Sequence, residues 1–110
     1  GPTAGTLLVD LQGRRLAGLL LHPDGSEVSD AVAAQLGGVS REAQRAARLL
    51  DLGAWESLGA ESPDGHLHLV APTDDTVLLA MADPGDPPGR LHLVASRAAA
   101  SARRWLESLR

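Results

Sequence analysis

Cysteine is absent from this chain of 110 residues, which excludes disulfide bonds and thiolate metal sites. Phenylalanine and tyrosine are absent too, and there are two tryptophans. The core must therefore be built from leucine, valine and alanine, whose small side chains fill space only where backbones approach closely. Lysine, asparagine and isoleucine are also missing, and all ten basic residues are arginine. The missing residue types are encoded by AT-rich codons, which indicates a GC-rich bacterial genome.

Charge and hydropathy exclude two further classes of protein. The formal net charge is −4, so there is no basic excess to displace counterions, and general nucleic-acid binding is disfavoured. No apolar run approaches the roughly 20 residues that a membrane span needs, and no signal-peptide pattern leads the chain. We therefore expect a cytoplasmic protein without membrane insertion, folded as a single domain over residues 1–110.

The chain begins with two apolar runs that predict a β-hairpin over residues 7–10 and 15–21. Between them, Asp10 is placed to accept a hydrogen bond from the backbone two residues on, and Gly13 favours a left-handed conformation. A helix follows, from a cap at Ser26 or Ser29 to about Leu50. Three strands over residues 55–61, 66–71 and 76–82 and a last helix from Arg90 complete the predicted order β-β-α-β-β-β-α. This order indicates an α+β fold, an antiparallel sheet with helices on its faces.

The first predicted helix carries an apolar seam spaced alternately four and three residues, as in a coiled coil. Its members are Val32, Leu36, Val39, Ala43, Ala46 and Leu50. Gly37 and Gly38 sit in the middle, where each costs about 1 kcal/mol relative to alanine. Either the helix kinks there, or a second helix backbone crosses closely.

Candidate chemistry is sparse. His66 and His68 share a strand face and form a weak candidate metal pair, although a solvated strand face is the commoner explanation. Four aspartates offer carboxylates but lie in turns, where aspartate is frequent for backbone reasons. These are Asp74, Asp75, Asp83 and Asp86. No nucleophile elbow, Walker loop or dinucleotide motif is present, so we expect no enzyme activity, catalytic residue, metal or cofactor.

Two features point to partners instead. Arg41, Arg45 and Arg48 fall on a face of the first helix away from its seam, where they either contact an acidic partner or are simply solvated. Trp55, in a chain almost devoid of aromatics, is an anchor either of the core or of an interface. The sequence alone leaves both questions open.

With these residues in view, the chain resembles the Roadblock/dynein light chain family and, within it, the bacterial MglB-like regulators of Ras-like small GTPases. The resemblance rests on LLVDLQGRRLAG at residues 7–18, on the Ala/Leu/Gly-rich helix over 28–50 and on the paired strands, acidic-Pro loop and closing helix over 65–99. It implies a five-stranded, profilin-like antiparallel sheet. Family members usually begin with a helix before the first strand, and we expect that helix to be missing here.

The resemblance also implies a homodimer, in which the long helix pairs with its twin and the third strand pairs edge to edge with its twin. The residue pattern agrees, because residues 55–60 contain no lysine or proline to blunt an edge strand, and an isologous dimer would use both features. The predicted interface comprises Val32, Leu36, Gly37, Val39, Ala43, Trp55, Ser57 and Leu58.

The family's bacterial regulators lack an arginine finger, so the resemblance implies partner contact, and no catalytic role, for Arg41, Arg45 and Arg48. The expected function is a non-enzymatic module that binds and regulates a Ras-like GTPase. Two alternatives stay open: a scaffold without effect on nucleotide turnover, and a small-ligand sensor of the profilin or PAS type.

Overall fold

A computed structural model describes residues 5–22, 24–82 and 85–109. The observed elements are β1 (Gly5–Asp10), β2 (Arg15–Gly18), α1 (Ser29–Leu49), β3 (Ser57–Ser62), β4 (Gly65–Val70), β5 (Thr76–Ala82) and α2 (Pro88–Ser108). Their order confirms the predicted α+β fold. Two parts of the sequence discussed above lie outside the described residues. They are Asp83, one of the candidate acidic residues, and residues 1–4, which precede β1.

The five strands form one antiparallel sheet in the order β2-β1-β5-β4-β3. β5 is central, and its residues 76–80 are buried, as the almost wholly apolar sequence of this strand predicts. The edges are β2, which has four residues, and β3, which has six. β2 ends earlier than predicted because Gly18 turns the chain away with φ +95°.

The two helices cover opposite faces of the sheet. On one face α1 packs against β1, β2 and β5, over a core that includes Leu7, Val9, Leu36 and Val77. On the other face α2 packs against β4 and β5. Alternation along the strands divides the side chains, so that Leu8 and its neighbours point toward α2. Helices on both faces were predicted, and the structure confirms them.

The β1–β2 turn forms as its sequence predicts. Asp10 Oδ1 accepts the backbone N–H groups of Gln12 and Arg14, each at 2.9 Å, and Gly13 has φ +83°. Arg14 also pairs with the Asp10 carboxylate through Nε at 2.8 Å. Burial raises the pKa of the Asp10 carboxyl, but the hydrogen bonds and charge of Arg14 outweigh burial and lower that pKa overall.

The predicted cap of the first helix is wrong. Val28 occupies the capping position and makes no side-chain capping hydrogen bond. Ser29 is already helical, and its buried hydroxyl accepts the Leu20 N–H at 2.7 Å. Ser26 donates instead to the Asp24 carboxylate. The Ser29 hydroxyl that the sequence pattern assigned to the helix therefore bonds the buried segment after β2, because the backbone N–H of Leu20 has no access to water.

Candidate interaction surfaces

On the α1 face, the sheet is covered only in part. Because α1 lies over β2, β1 and β5, the described part of the chain places no helix over the same face of β4 and β3. The result is a groove of about 400 Å³ between α1 and β4. Its lining residues are Leu20, Leu21, His22, Val28, Val32, Leu36, Val39, Leu67, Leu69, Leu79 and Met81. We call this surface the groove.

Three apolar side chains that line the groove are partly open to solvent. Leu21 is 43% exposed, Val39 is 45% exposed and Leu67 is 36% exposed. The groove also continues toward β3, because Leu58 pairs with Leu69 in register and so shares its face. Contiguous exposed apolar surface of this kind marks an interaction site.

The edge strand β3 borders the groove. All six of its residues are exposed, and among the described residues β4 is its only strand neighbour. Within that part of the chain, the side of β3 away from β4 presents backbone N–H and C=O groups without a strand partner, which are a template for another strand. No lysine or proline lies within Ser57–Ser62 to prevent such pairing.

The predicted interface residues fall into two groups. Val32, Leu36 and Val39 line the groove, and Ser57 and Leu58 lie exposed on β3. Leu58 shares the groove's face of the sheet, whereas Ser57 points to the α2 face because side chains alternate along the strand. The structure thus brings four of these five residues to one surface. Leu67, Leu69 and Met81 of the same surface were missed, although the alternation of histidine and leucine along β4 placed Leu67 and Leu69 on a common face.

The remaining three predicted interface residues pack within their own chain. A Cβ on Gly37 would lie 2.6 Å from the Leu11 carbonyl oxygen, so this glycine admits the β1–β2 turn, and neither the predicted kink nor a crossing helix is needed to explain it. Ala43 packs against the core, and Trp55, 9% exposed, belongs to it. Of the two roles left open for Trp55, the structure gives the core.

The three arginines of α1 lie together, as predicted. Arg41, Arg45 and Arg48 line one small depression beside the β1–β2 turn. Arg41 donates through Nη1 to the Leu11 carbonyl, which fixes its position. Arg45 lies 3.7 Å from Glu42, an exposed pair of small energetic weight, and Arg48 has no ion pair within the described residues. Two exposed guanidinium groups therefore remain available to an acidic surface.

Comparison with known proteins identifies the fold. MglB of Myxococcus xanthus superposes with a TM-score of 0.84 over 94% of this chain and 83% of MglB, at 17% sequence identity. An MglB with a tetrameric arrangement gives 0.85 over 96% of this chain and 79% of that one, at 22% identity. A Roadblock/LC7 domain from Streptomyces avermitilis gives 0.80 over 97% and 88%, at 21% identity. The chain has a Roadblock fold. No family model and no curated protein sequence matches it.

In this Roadblock fold, His68 of the candidate metal pair His66 and His68 has another histidine beside it. His68 Nε2 lies 2.9 Å from His92 Nδ1, with the rings edge to face, and His92 comes from α2, a partner that the sequence pattern did not reveal. Burial, and next the positive charge of a protonated His92, lower the pKa of His68. No group of three or more potential metal ligands occurs among the residues that the structure describes.

Neither Roadblock helix has the length and apolar character needed to cross a bilayer, as judged over the described residues.

Proposed function

We propose that this chain is a non-enzymatic Roadblock module that forms a homodimer and regulates a Ras-like small GTPase in the bacterial cytoplasm. The observation that carries the proposal is the groove with its bare neighbour β3. The groove exposes apolar side chains, and β3 exposes backbone hydrogen-bonding groups. A second copy of the chain would cover both. The similarity to MglB over nearly the whole chain supports the same assignment.

The proposed dimer follows from the width of the sheet. A helix is about 10 Å wide and covers roughly two strands spaced about 4.8 Å apart. On the α1 face, β4 and β3 remain open, which is room for one more helix. In a two-fold dimer that helix is the partner's α1, and each copy's Val39 would enter the other's groove near Leu67. Pairing of β3 with its twin would then continue the sheet across the axis.

The arginine row on α1 is the proposed contact for the GTPase. It lies beside the β1–β2 turn, whereas the groove lies against β4, so dimer formation leaves the row accessible. Arg45 and Arg48 are the exposed members, and their charge suits an acidic surface on the GTPase. No catalytic role is assigned to them, in keeping with the family resemblance.

The test uses the Ras-like GTPases of the source bacterium, purified one by one. We expect one of them to bind the wild-type chain and to hydrolyse GTP at a changed rate. Arg45→Glu should weaken that binding by about tenfold, because reversing a charge at an interface rim slows association, while the mass of the dimer stays the same. Arg97→Glu, the same change on α2, is the matched control and should bind normally.

Each other outcome is informative. Binding without a change in hydrolysis would establish the scaffold alternative in place of regulation. Unchanged binding by Arg45→Glu would remove the α1 row from the contact, and a wild-type chain that binds none of the GTPases would overturn the proposal.

A further inference from the structure

Strand β4 and helix α2 each bring one histidine to the same point above the sheet. His68 Nε2 lies 2.9 Å from His92 Nδ1, and the two rings meet edge to face with their centroids 4.8 Å apart. The two residues are 24 positions apart in sequence. Their contact therefore depends on the packing of α2 against β4, and no local motif produces it.

The edge strand leaves room for the His68 ring. His68 pairs in register with Gly59 of β3. A Cβ on Gly59 would lie 3.3 Å from His68 Nδ1, which is closer than ordinary van der Waals contact. The absence of a side chain at Gly59 thus lets the imidazole lie over β3 with Nδ1 near that strand, while Nε2 on the other side of the ring meets α2.

The hydrogen bond between the two rings uses a single proton. A neutral imidazole has one N–H donor and one acceptor nitrogen, so one of the two facing nitrogens donates and the other accepts. Among residues 5–22, 24–82 and 85–109, no carboxylate forms an ion pair with either ring. A cation that replaced the shared proton would therefore meet two nitrogen ligands and no competing anion from this part of the chain.

The separation of the two nitrogens suits coordination of one metal ion. An imidazole nitrogen lies about 2.0–2.1 Å from a bound transition metal, so two nitrogens at right angles around it are about 2.9 Å apart, and two at the tetrahedral angle about 3.3 Å apart. The observed 2.9 Å equals the first of these values. Both lone pairs must converge on the ion, and the exposed ring of His92 is free to turn toward it. Imidazole suits Ni²⁺, Cu²⁺ and Zn²⁺, whereas Mg²⁺ and Ca²⁺ prefer oxygen ligands.

We propose that His68 and His92 form a metal site that binds one Ni²⁺, Cu²⁺ or Zn²⁺ ion between β4 and α2. We call this pair the histidine clamp. It departs from the sequence expectation of no metal, and His92 takes the place that the pattern gave to His66. Water completes the coordination, because no third ligand joins the pair among the described residues. Two protein ligands make an exchangeable site, unlike the closed four-ligand sites of structural zinc. The ion would link α2 to β4 and stabilise the folded chain as its free concentration rises.

The test titrates the chain with nickel chloride in a calorimeter, without a polyhistidine tag, which would itself bind nickel. We expect one ion to bind per chain at submillimolar concentration. The midpoint of thermal unfolding should rise with nickel concentration, because the ion binds the folded chain and not the separated histidines of the unfolded one. Magnesium chloride, titrated in parallel, should give neither the heat of binding nor the shift in midpoint.

His92→Gln is the deciding variant, since glutamine can still hydrogen-bond to His68 but lacks the imidazole that nickel favours. Loss of a residue that only hydrogen-bonds to a metal ligand costs about 10–100-fold in metal affinity, so loss of a ligand itself should weaken nickel binding at least about tenfold. His22→Gln is the matched control, because His22 lines the groove on the opposite face of the sheet, and it should bind nickel like the wild type. Circular dichroism shows that each variant is folded.

The proposal is overturned if nickel does not bind at submillimolar concentration, if folded His92→Gln binds it as tightly as the wild type, or if His22→Gln loses binding equally. Magnesium binding as tight as nickel binding would also overturn it, because the ion would then lie at carboxylates. The histidine clamp lies outside both the groove and the arginine row of α1, so His92→Gln should keep the dimer mass and the binding of the GTPase. This proposal and the proposed function therefore fail separately.

Discussion

The two helices differ in the charge that lies beside their exposed apolar side chains. The groove beside α1 has one titratable side chain, His22, among its described lining residues. On the opposite face of the sheet, α2 exposes Val94 and Trp105, and exposed arginines recur along the same helix at positions 90, 97 and 104. Apolar side chains of similar exposure are therefore present with and without a row of like charge.

This difference separates the surface that suits a symmetric dimer from the one that does not. In such a dimer a surface meets itself, so an apolar groove without charged side chains meets its like without repulsion. The arginine rows of two α2 helices brought together would repel, and like charges across an interface cost several kcal/mol. The groove is therefore the surface that favours a second copy of the chain.

The largest expected effect comes from a charge placed in the groove. Val39→Glu would bury a carboxylate against the partner's apolar groove, and by symmetry it would do so twice in the dimer. An unpaired buried charge costs about 3–5 kcal/mol, so we expect the dimer dissociation constant to rise at least about a hundredfold. Sedimentation equilibrium over a range of concentrations measures this.

Val94→Glu is the matched control, since Val39 and Val94 have nearly equal exposure, 45% and 46%, and lie on opposite faces. It should leave the dimer intact. If Val94→Glu dissociated the dimer and Val39→Glu did not, the dimer would form through α2 and the assignment of the groove would be wrong.

A smaller effect distinguishes Gly37, which packs closely against the β1–β2 turn, from Gly38, which has open space beside it. In Gly37→Ala the new methyl group would lie 2.6 Å from the Leu11 carbonyl oxygen, and overpacking of this kind costs about 1–3 kcal/mol. At Gly38 a methyl group meets nothing closer than the Arg41 guanidinium at 4.0 Å. Gly38→Ala should therefore stabilise the protomer by about 1 kcal/mol through helix propensity.

Urea unfolding of both variants measures the change in free energy, and analytical ultracentrifugation measures the dimer. A loss of dimer affinity in Gly38→Ala, with a stable protomer, would show that α1 helices cross at Gly38. Equal stability changes in the two variants would contradict the packing of Gly37 on the β1–β2 turn.

Local sequence rules predicted the elements whose partners lie nearby in the chain. The bounds of β5, Thr76–Ala82, were predicted to the residue, since its apolar run ends at turn residues on both sides. The β1–β2 turn was predicted together with its Asp10 hydrogen bond, because the whole motif is contained in a few residues. The fold class followed from the order of such elements.

Features that depend on distant contacts could not be predicted from the pattern. Ser29 bonds Leu20 and not the helix end, and Gly37 meets a turn that is far away in sequence. The coiled-coil spacing of α1 was real, but Leu36 of that seam packs on the chain's own sheet while Val39 stays exposed. Periodicity shows that a face is apolar. Which neighbour covers that face depends on the strand order of the sheet, and the sequence of one helix does not determine that order.

A last effect, no larger than that of Gly37→Ala, concerns the hairpin of β1 and β2. Asp10→Asn removes a charged acceptor for the backbone of Gln12 and Arg14 and should cost about 1–3 kcal/mol at neutral pH. The pKa of Asp10 is lowered from 3.8 on folding, so its stabilisation is complete above pH 3.8 and is lost as pH falls through the lowered value. Unfolding curves of wild type and variant should therefore converge in acid. A stability difference that persisted in acid would mean that the Asp10 side chain stabilises the hairpin by its shape and not by its charge.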